Sequence, residues 1–428
     1  MQRAGVPGVA VGIVVGEEEL VVAAGVTSVD DPLPISSTTL FQIGSITKTV
    51  LGSAVMRLVA AGRLDLDVPI RSVVPDFRLV DESVAARVTM RHLLTHVGGW
   101  AGRLRREGGR GDDALARFVA EMAELPQLVP LGSLFSYNSS GFCLAGRALE
   151  LLTGRTFEGA MRELVLEPLG MARSAFLAEE VLGWRVVCGH VQGNHGPSVA
   201  RPWGYPRALG PTAGMVSCPD DLLRYVRLHL GEAKHVLASG WLATMHKPQT
   251  EADRAFGHVA LSWMTTVIDG VWVIRHGGTG VGQTSQVTIA PEHGFGVFVL
   301  SNAANAQPLN REIVRRLLHE CLGASEPFPQ SRPIDPGAAA EYVGRYFGET
   351  GEIQIAHTAG GLELDLRPRD TPGAPPSPGK PAPLGEVERD LLMVLKGSQQ
   401  GQFAQFFRDA GGHVALMRYG GLLHPRAR

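Results

Sequence analysis

Two β-rich stretches, 8–15 and 20–26, open the chain, and Gly16-Glu17-Glu18-Glu19 between them suits a hairpin turn. From 46 to 61 the apolar positions change to a helical period, and Gly62 acts as a stop. Residues 88 to 235 read as mostly helical with long loops, with helices expected at 87–94, 113–125, 140–152 and 220–230. β character returns at 271–275, 283–290 and 294–300, with Pro291-Glu292-His293-Gly294 as the turn between the last two, and a helix follows at 309–322. Strands at both ends with helices between them imply one sheet closed by distant segments, from about 1–30 and 270–302. The middle helices then form a second lobe, and the cleft between lobes is the expected place for a site.

Two proline-punctuated stretches, Ser325-Glu326-Pro327-Phe328-Pro329 and Pro333-Ile334-Asp335-Pro336, mark a linker at 326–338. It separates a first unit, 1–325, from a second, 339–428. The second carries short β-like runs at 342–346, 353–357, 362–366, 391–395, 404–408 and 414–418, as in a small β-barrel or sandwich. Within it, about 367–384 is rich in proline and glycine and too poor in apolar residues to fold alone, so a mobile loop is expected.

The 428 residues hold 40 Lys+Arg against 42 Asp+Glu, which gives no field to gather nucleic acid or anionic lipid. The basic run Arg103-Leu104-Arg105-Arg106 reads as a solvated loop. Cys143, Cys188, Cys218 and Cys321 have neither C-x-x-C spacing nor the density of a disulfide scaffold, and read as buried small apolar residues. No segment reaches the ~18 apolar residues of a membrane helix. The opening residues lack the pattern of a signal peptide, so a cytoplasmic protein is expected, or a periplasmic or secreted one if a leader has been trimmed.

The sharpest chemical signal is Gly44-Ser45-Ile46-Thr47-Lys48 at the entry to the first helix. Positions i and i+3 share a helix face, so amine and hydroxyl can meet. A helix start also supplies free N–H groups and a positive dipole end beside the serine. A lysine near its free pKa of ~10.4 is a poor base at neutral pH, and burial lowers that value. Alone, the pair reads more readily as an N-cap serine with a surface lysine. His92 and His96, four apart on an expected helix, lack the glutamate of H-E-x-x-H and read as packing, so no metal is expected. His190 and His195 read as loop residues, with the cleft border as the alternative; Trp203 and Tyr205 either shape a pocket or anchor a loop.

Two later segments accompany Ser45 and Lys48: Ser136-Tyr137-Asn138-Ser139-Ser140-Gly141-Phe142 before a helix, and Arg275-His276-Gly277-Gly278-Thr279-Gly280 at a strand end. In that order they resemble the three motifs of the serine β-lactamases and penicillin-binding proteins. With Thr95-His96-Val97-Gly98-Gly99, Glu167-Pro168-Leu169-Gly170-Met171 and Gly210-Pro211-Thr212-Ala213-Gly214-Met215, residues 1 to about 322 look like the class C β-lactamase-related serine hydrolases. The resemblance implies an α/β (α+β) fold: an antiparallel sheet flanked by helices, a helical lobe, then a lipocalin-like β-barrel that caps the cleft, mediates assembly or only stabilises.

It also implies roles. Ser45 forms an acyl-enzyme, Lys48 holds or relays its proton, and Tyr137 is the partner base. The backbone N–H groups of Ser45 and Thr279 form the oxyanion hole, and Ser139, His276, Gly277 and Gly278 bind substrate. Two departures stand out: Ser139 occupies the family's asparagine position, with Asn138 one residue early, and His276 replaces the lysine of β-lactamases. Histidine, with a free pKa of ~6.5, supplies no permanent cation for a substrate carboxylate. The expected function is therefore a cofactor-independent serine hydrolase of a small ester, amide or D-amino-acid peptide, with β-lactam hydrolysis weak. The alternative is a non-catalytic binder of peptidoglycan-type peptides or acyl ligands. A homo-oligomer is compatible with either; a nucleic-acid partner or a membrane span is not expected.

Overall fold

The structure is a computed structural model and describes residues 1–427 apart from 103–108, 194, 255, 328, 350, 369–379 and 398. The basic run at 103–106 and most of the expected loop at 367–384 lie outside the described residues.

An eight-stranded antiparallel sheet organises the first part. Its order is Glu18–Gly25, Gly8–Val15, Phe295–Ser301, Gln283–Ala290, Val271–Gly280, Met264–Ile268, His258–Val259 and Thr250–Glu251. The sheet is closed by distant segments: Val9 pairs with Ser301 and Val15 with Phe295. Phe295–Ser301 is buried along its whole length, as a central strand covered on both faces must be. Val297 and Val299 meet the helix Gln307–Leu322 through Val314 and Leu318. Phe298 and Leu300 alternate to the other face and join the large core that includes Val50, Leu51 and Val226. That core contains one face of the helix Thr47–Ala60, whose apolar surroundings hold the start of the helix rigidly.

The helical lobe is assembled with local caps. Thr89 caps Met90–Leu94, Asn138 caps Ser139–Thr153, and Thr156 caps Phe157–Met161, each accepting a backbone N–H. Gly154 ends the longest of these in the left-handed conformation.

The C-terminal part is a nearly closed eight-strand barrel. Gly344–Gly348, Gly351–Thr358, Gly361–Pro368, Ala382–Glu388, Leu391–Val394, Phe403–Arg408, Val414–Tyr419 and Leu422–Pro425 each pair antiparallel with the next. A bridge between Tyr346 and Arg426 joins its first strand to the end of its last. Tyr346, Ile353, Ile355, Leu364, Phe406 and Met417 fill the interior. Residues 367–368 and 382–384, given to a loop by composition, belong to strands: pairing with neighbours overrides their weak intrinsic preference. The reading of the cysteines holds for Cys143 and Cys218, which are buried, but Cys321 is exposed and Cys188 half-buried.

Candidate active site

Ser45 sits in a short 3-10 turn, Gly44–Ile46, that feeds directly into Thr47–Ala60. One helical turn on, the Lys48 amine donates to Ser45 Oγ at 3.1 Å and to Thr212 O at 2.8 Å. Lys48 is 1% exposed, so its amine is out of bulk water. Thr212 lies in Gly210–Ala213, which packs against the helix Thr47–Ala60. Tyr137 immediately precedes the helix Ser139–Thr153, and its ring centroid is 4.9 Å from Lys48 Nζ. Phe142, one turn into that helix, brings a second ring to 5.6 Å.

The third wall is the second half of Val271–Gly280. Gly44 adopts φ +53, and a Cβ there would lie 2.5 Å from Thr279 N. Only glycine lets the Ser45 turn press on the strand that carries the Thr279 amide. Gly278 does the same from the strand side, since its Cβ would meet Ile43 O at 2.0 Å. The side of Gly278 where a Cβ would stand thus faces the Ser45 turn. Gly277 is exposed, and nothing lies closer than 3.9 Å to where its Cβ would be. Along one edge the strand pairs with Gln283–Ala290 as far as Gly280. Along the other, pairing with Met264–Ile268 ends at Arg275, so among the described residues 276–280 have no strand partner there. Tyr205 donates to Thr279 O at 2.7 Å beside this edge, whereas Trp203 donates to Val187 O and serves as a loop anchor.

A family model described as Beta-lactamase matches residues 1–320. The chain belongs to the beta-lactamase family. Penicillin-binding protein 4 of Amycolatopsis lactamdurans is 33% identical over 81% of this chain and 94% of that protein. Esterase EstB of Burkholderia gladioli is 33% identical over a shorter stretch, 37% of this chain and 44% of that protein. Among solved structures, SurE with D-Leu superposes with a TM-score of 0.77 at 26% identity, over 100% of this chain and 96% of its own. A class C beta-lactamase shares the fold, with a TM-score of 0.63 at 18% identity over 76% of this chain and 92% of that one. Members of the beta-lactamase family are serine hydrolases.

Within this family frame the two departures have physical content. Asn138 is buried. Its Oδ1 accepts from Gly141 N–H at 2.8 Å and from Ser140 Oγ at 2.9 Å, while Nδ2 donates to Trp100 O at 3.1 Å. It is a helix cap tied to the 98–102 segment. Ser139, half-buried, is the first residue of the helix. His276 is 5% exposed, and burial together with nearby Lys48 pushes it down to about 4, so it is neutral at pH 7. Its Nδ1 donates to Gly277 O at 2.6 Å, and its buried Nε2 has no hydrogen-bond partner among the described residues.

His96 was weighed with His92 as a helical pair. The helix ends at Leu94, and His96 stands outside it with φ 57. It stacks on Tyr137 with ring centroids 4.4 Å apart, and its Nδ1 accepts the Asn138 N–H at 2.8 Å. Burial and the proximity of Lys48 hold it well below the usual histidine range, so it too is neutral. The sequence signal was present in Thr95-His96-Val97-Gly98-Gly99, where glycines flank a turn. His92 instead closes the cap at Thr89, and His190 ties Asn302 O to Val29 N–H. Among the described residues no cluster of three or more His, Cys, Asp or Glu could hold a metal ion, and no helix is long and apolar enough to cross a membrane.

Proposed function

We propose that this chain forms an acyl-enzyme on Ser45 and hydrolyses a small ester or amide. The observation that carries this reading is the buried Lys48 amine 3.1 Å from Ser45 Oγ and 4.9 Å from the Tyr137 ring. Ser45 Oγ attacks the substrate carbonyl, and its proton passes to the Lys48–Tyr137 pair. The carbonyl oxygen, now negative, lies against the Ser45 and Thr279 N–H groups; losing one such donor costs about 10²–10³ in rate. The leaving group departs with the proton. Water then enters and gives a proton to Tyr137 as its oxygen attacks the acyl carbonyl; the bond from that carbon to Ser45 Oγ breaks, Oγ takes the proton back, and the acid is released.

The edge at 276–280, which pairs with no strand among the described residues, supports an extended acyl segment as substrate, because its main-chain groups can take hydrogen bonds. A neutral His276 offers an acceptor where β-lactamases carry a lysine, which favours substrates with an N–H or O–H there over those with a carboxylate. The names of the relatives, an esterase and a structure holding D-Leu, support an ester or a D-amino-acid substrate, and that of the penicillin-binding protein supports reaction with penicillin. The test is a panel of p-nitrophenyl esters, D-amino-acid amides and nitrocefin, with fluorophosphonate labelling, on native protein and Ser45→Ala. Labelling and turnover lost in Ser45→Ala are expected. A native protein that no probe labels would leave a binding role instead.

A further inference from the structure

The three residues that deliver Tyr137 to the site are each held by the C-terminal barrel. Arg418 Nη1 donates to Phe135 O at 3.0 Å, Leu423 N–H donates to Ser136 Oγ at 3.3 Å, and Tyr137 N–H donates to Gly421 O at 2.8 Å. All three partners come from one hairpin, Val414–Tyr419 and Leu422–Pro425. Its turn, Gly420 and Gly421, is left-handed at both residues, with φ 57 and 79. A Cβ on Gly421 would lie 3.0 Å from Phe256 and 3.5 Å from Tyr137 Cβ, so the turn is seated against the tyrosine. Elsewhere the barrel also reaches the segment next to Asn138, where Glu349 accepts the Gly102 N–H.

Arg418 is 4% exposed, lies over the rings of Phe135 and Phe407, and has a second bond to Gln405. Asp253 and Glu251 supply countercharge at longer range. A buried cation is a costly way to stabilise a barrel when an apolar side chain would pack as well. Its placement on the main chain two residues before Tyr137 gives it a different use.

We propose that this hairpin is a positioning element of the reaction: it fixes where the Tyr137 phenol stands relative to Lys48 and Ser45, although none of its residues touches the reacting atoms. Tyr137 faces Lys48, His96 and His276. Both histidines are neutral, so of these three Lys48 is the charged group, and its distance bears on how readily the phenol gives up its proton. Releasing the hairpin moves the phenol and weakens it as a base. This rests on the reading of Tyr137 as the base.

The experiment measures the rate of fluorophosphonate labelling of Ser45 against pH in the full chain, for native protein, Ser136→Ala, Arg418→Met, Arg418→Lys and Tyr137→Phe, with thermal unfolding alongside. Ser136→Ala removes one clamp bond without changing charge. Folded Ser136→Ala and Arg418→Met are expected to label about 10–100-fold more slowly, as for a displacement near 1 Å. Their acidic limb moves to higher pH, and Arg418→Lys recovers part of the loss. If Arg418→Met does not fold, Ser136→Ala decides alone. Folded variants with native rates, or slower ones whose acidic limb has not moved, overturn the proposal. If Tyr137→Phe labels like native protein, the base assignment falls first and the proposal with it.

Discussion

Gly278→Ala isolates the contact between the Ser45 turn and the strand that carries the Thr279 amide, the two walls of the proposed oxyanion hole. The new Cβ would stand 2.0 Å from Ile43 O and 2.2 Å from Ser285 Oγ. Ordinary contact is 3.4 Å or more, so turn and strand must part by over 1 Å. The same methyl group invades the 2.7 Å hydrogen bond that Ser285 Oγ donates to Ile43 O. Overpacking of this kind costs about 1–3 kcal/mol of stability. On the oxyanion role proposed for Thr279 the functional loss is larger, because its amide moves off the oxygen it would meet. A lost donor costs about 10²–10³ in rate, or roughly 3–4 kcal/mol of transition-state stabilisation. The assay is the second-order rate of fluorophosphonate labelling, with thermal unfolding to establish that the variant is folded. Gly240→Ala, in an exposed helix position where nothing lies within 4 Å of the new Cβ, serves as the control and labels like native protein. A folded Gly278→Ala that labels within about threefold of native would refute the reasoning.

His246, His276 and His424 are pushed down to about 4 by burial, so they are neutral in the folded chain. Unfolded, each takes up a proton near pH ~6.5, so stability falls as pH drops from about 6.5 to 4, by up to about 3 kcal/mol per group. Thermal unfolding at several pH values checks this; a midpoint flat across that window contradicts it. Asn138→Ala removes a cap and a tie to Trp100 O, and is expected to cost about 2 kcal/mol in chemical denaturation; native stability would show the cap to be dispensable. Nitrocefin turnover is expected far below a kcat/KM of ~10⁷ M⁻¹s⁻¹, and a value near that level would refute the argument from His276.

The parts of the site legible in the sequence are those whose geometry is local. Ser45 and Lys48 are three residues apart on a helix start, and no tertiary knowledge is needed to bring them together. Asn138 stood out as one residue early only against the motif of the family that the chain resembles. What stayed hidden depends on the rest of the fold. Thr212 meets Lys48 through a carbonyl, and backbone acceptors leave no mark in residue type. His96 escaped because a spacing of four has meaning only within a helix, and this helix stops at Leu94. The strand ending at Gly280 runs five residues past the expected 271–275, since glycines carry little β preference and pairing with Gln283–Ala290 supplies the order. Met264–Ile268, Ala382–Glu388 and Leu422–Pro425 were missed for the same reason: short strands take their definition from neighbours.

The closure of the sheet by Val9 on Ser301 has a bearing on how the molecule comes into being. During synthesis Ser45 and Lys48 emerge early and can adopt their helix at once, a matter of microseconds for local structure. Gly8–Val15 must wait for the seven residues of Phe295–Ser301 before its inner edge is covered. The Thr279 amide arrives in the same late interval, and the Gly421 carbonyl later still. Contacts so far apart in sequence make folding slow and leave apolar strand edges open meanwhile. On the proposed roles, a nascent chain therefore carries Ser45 and Lys48 long before it carries the Thr279 amide, and acyl transfer has to wait for the late segments.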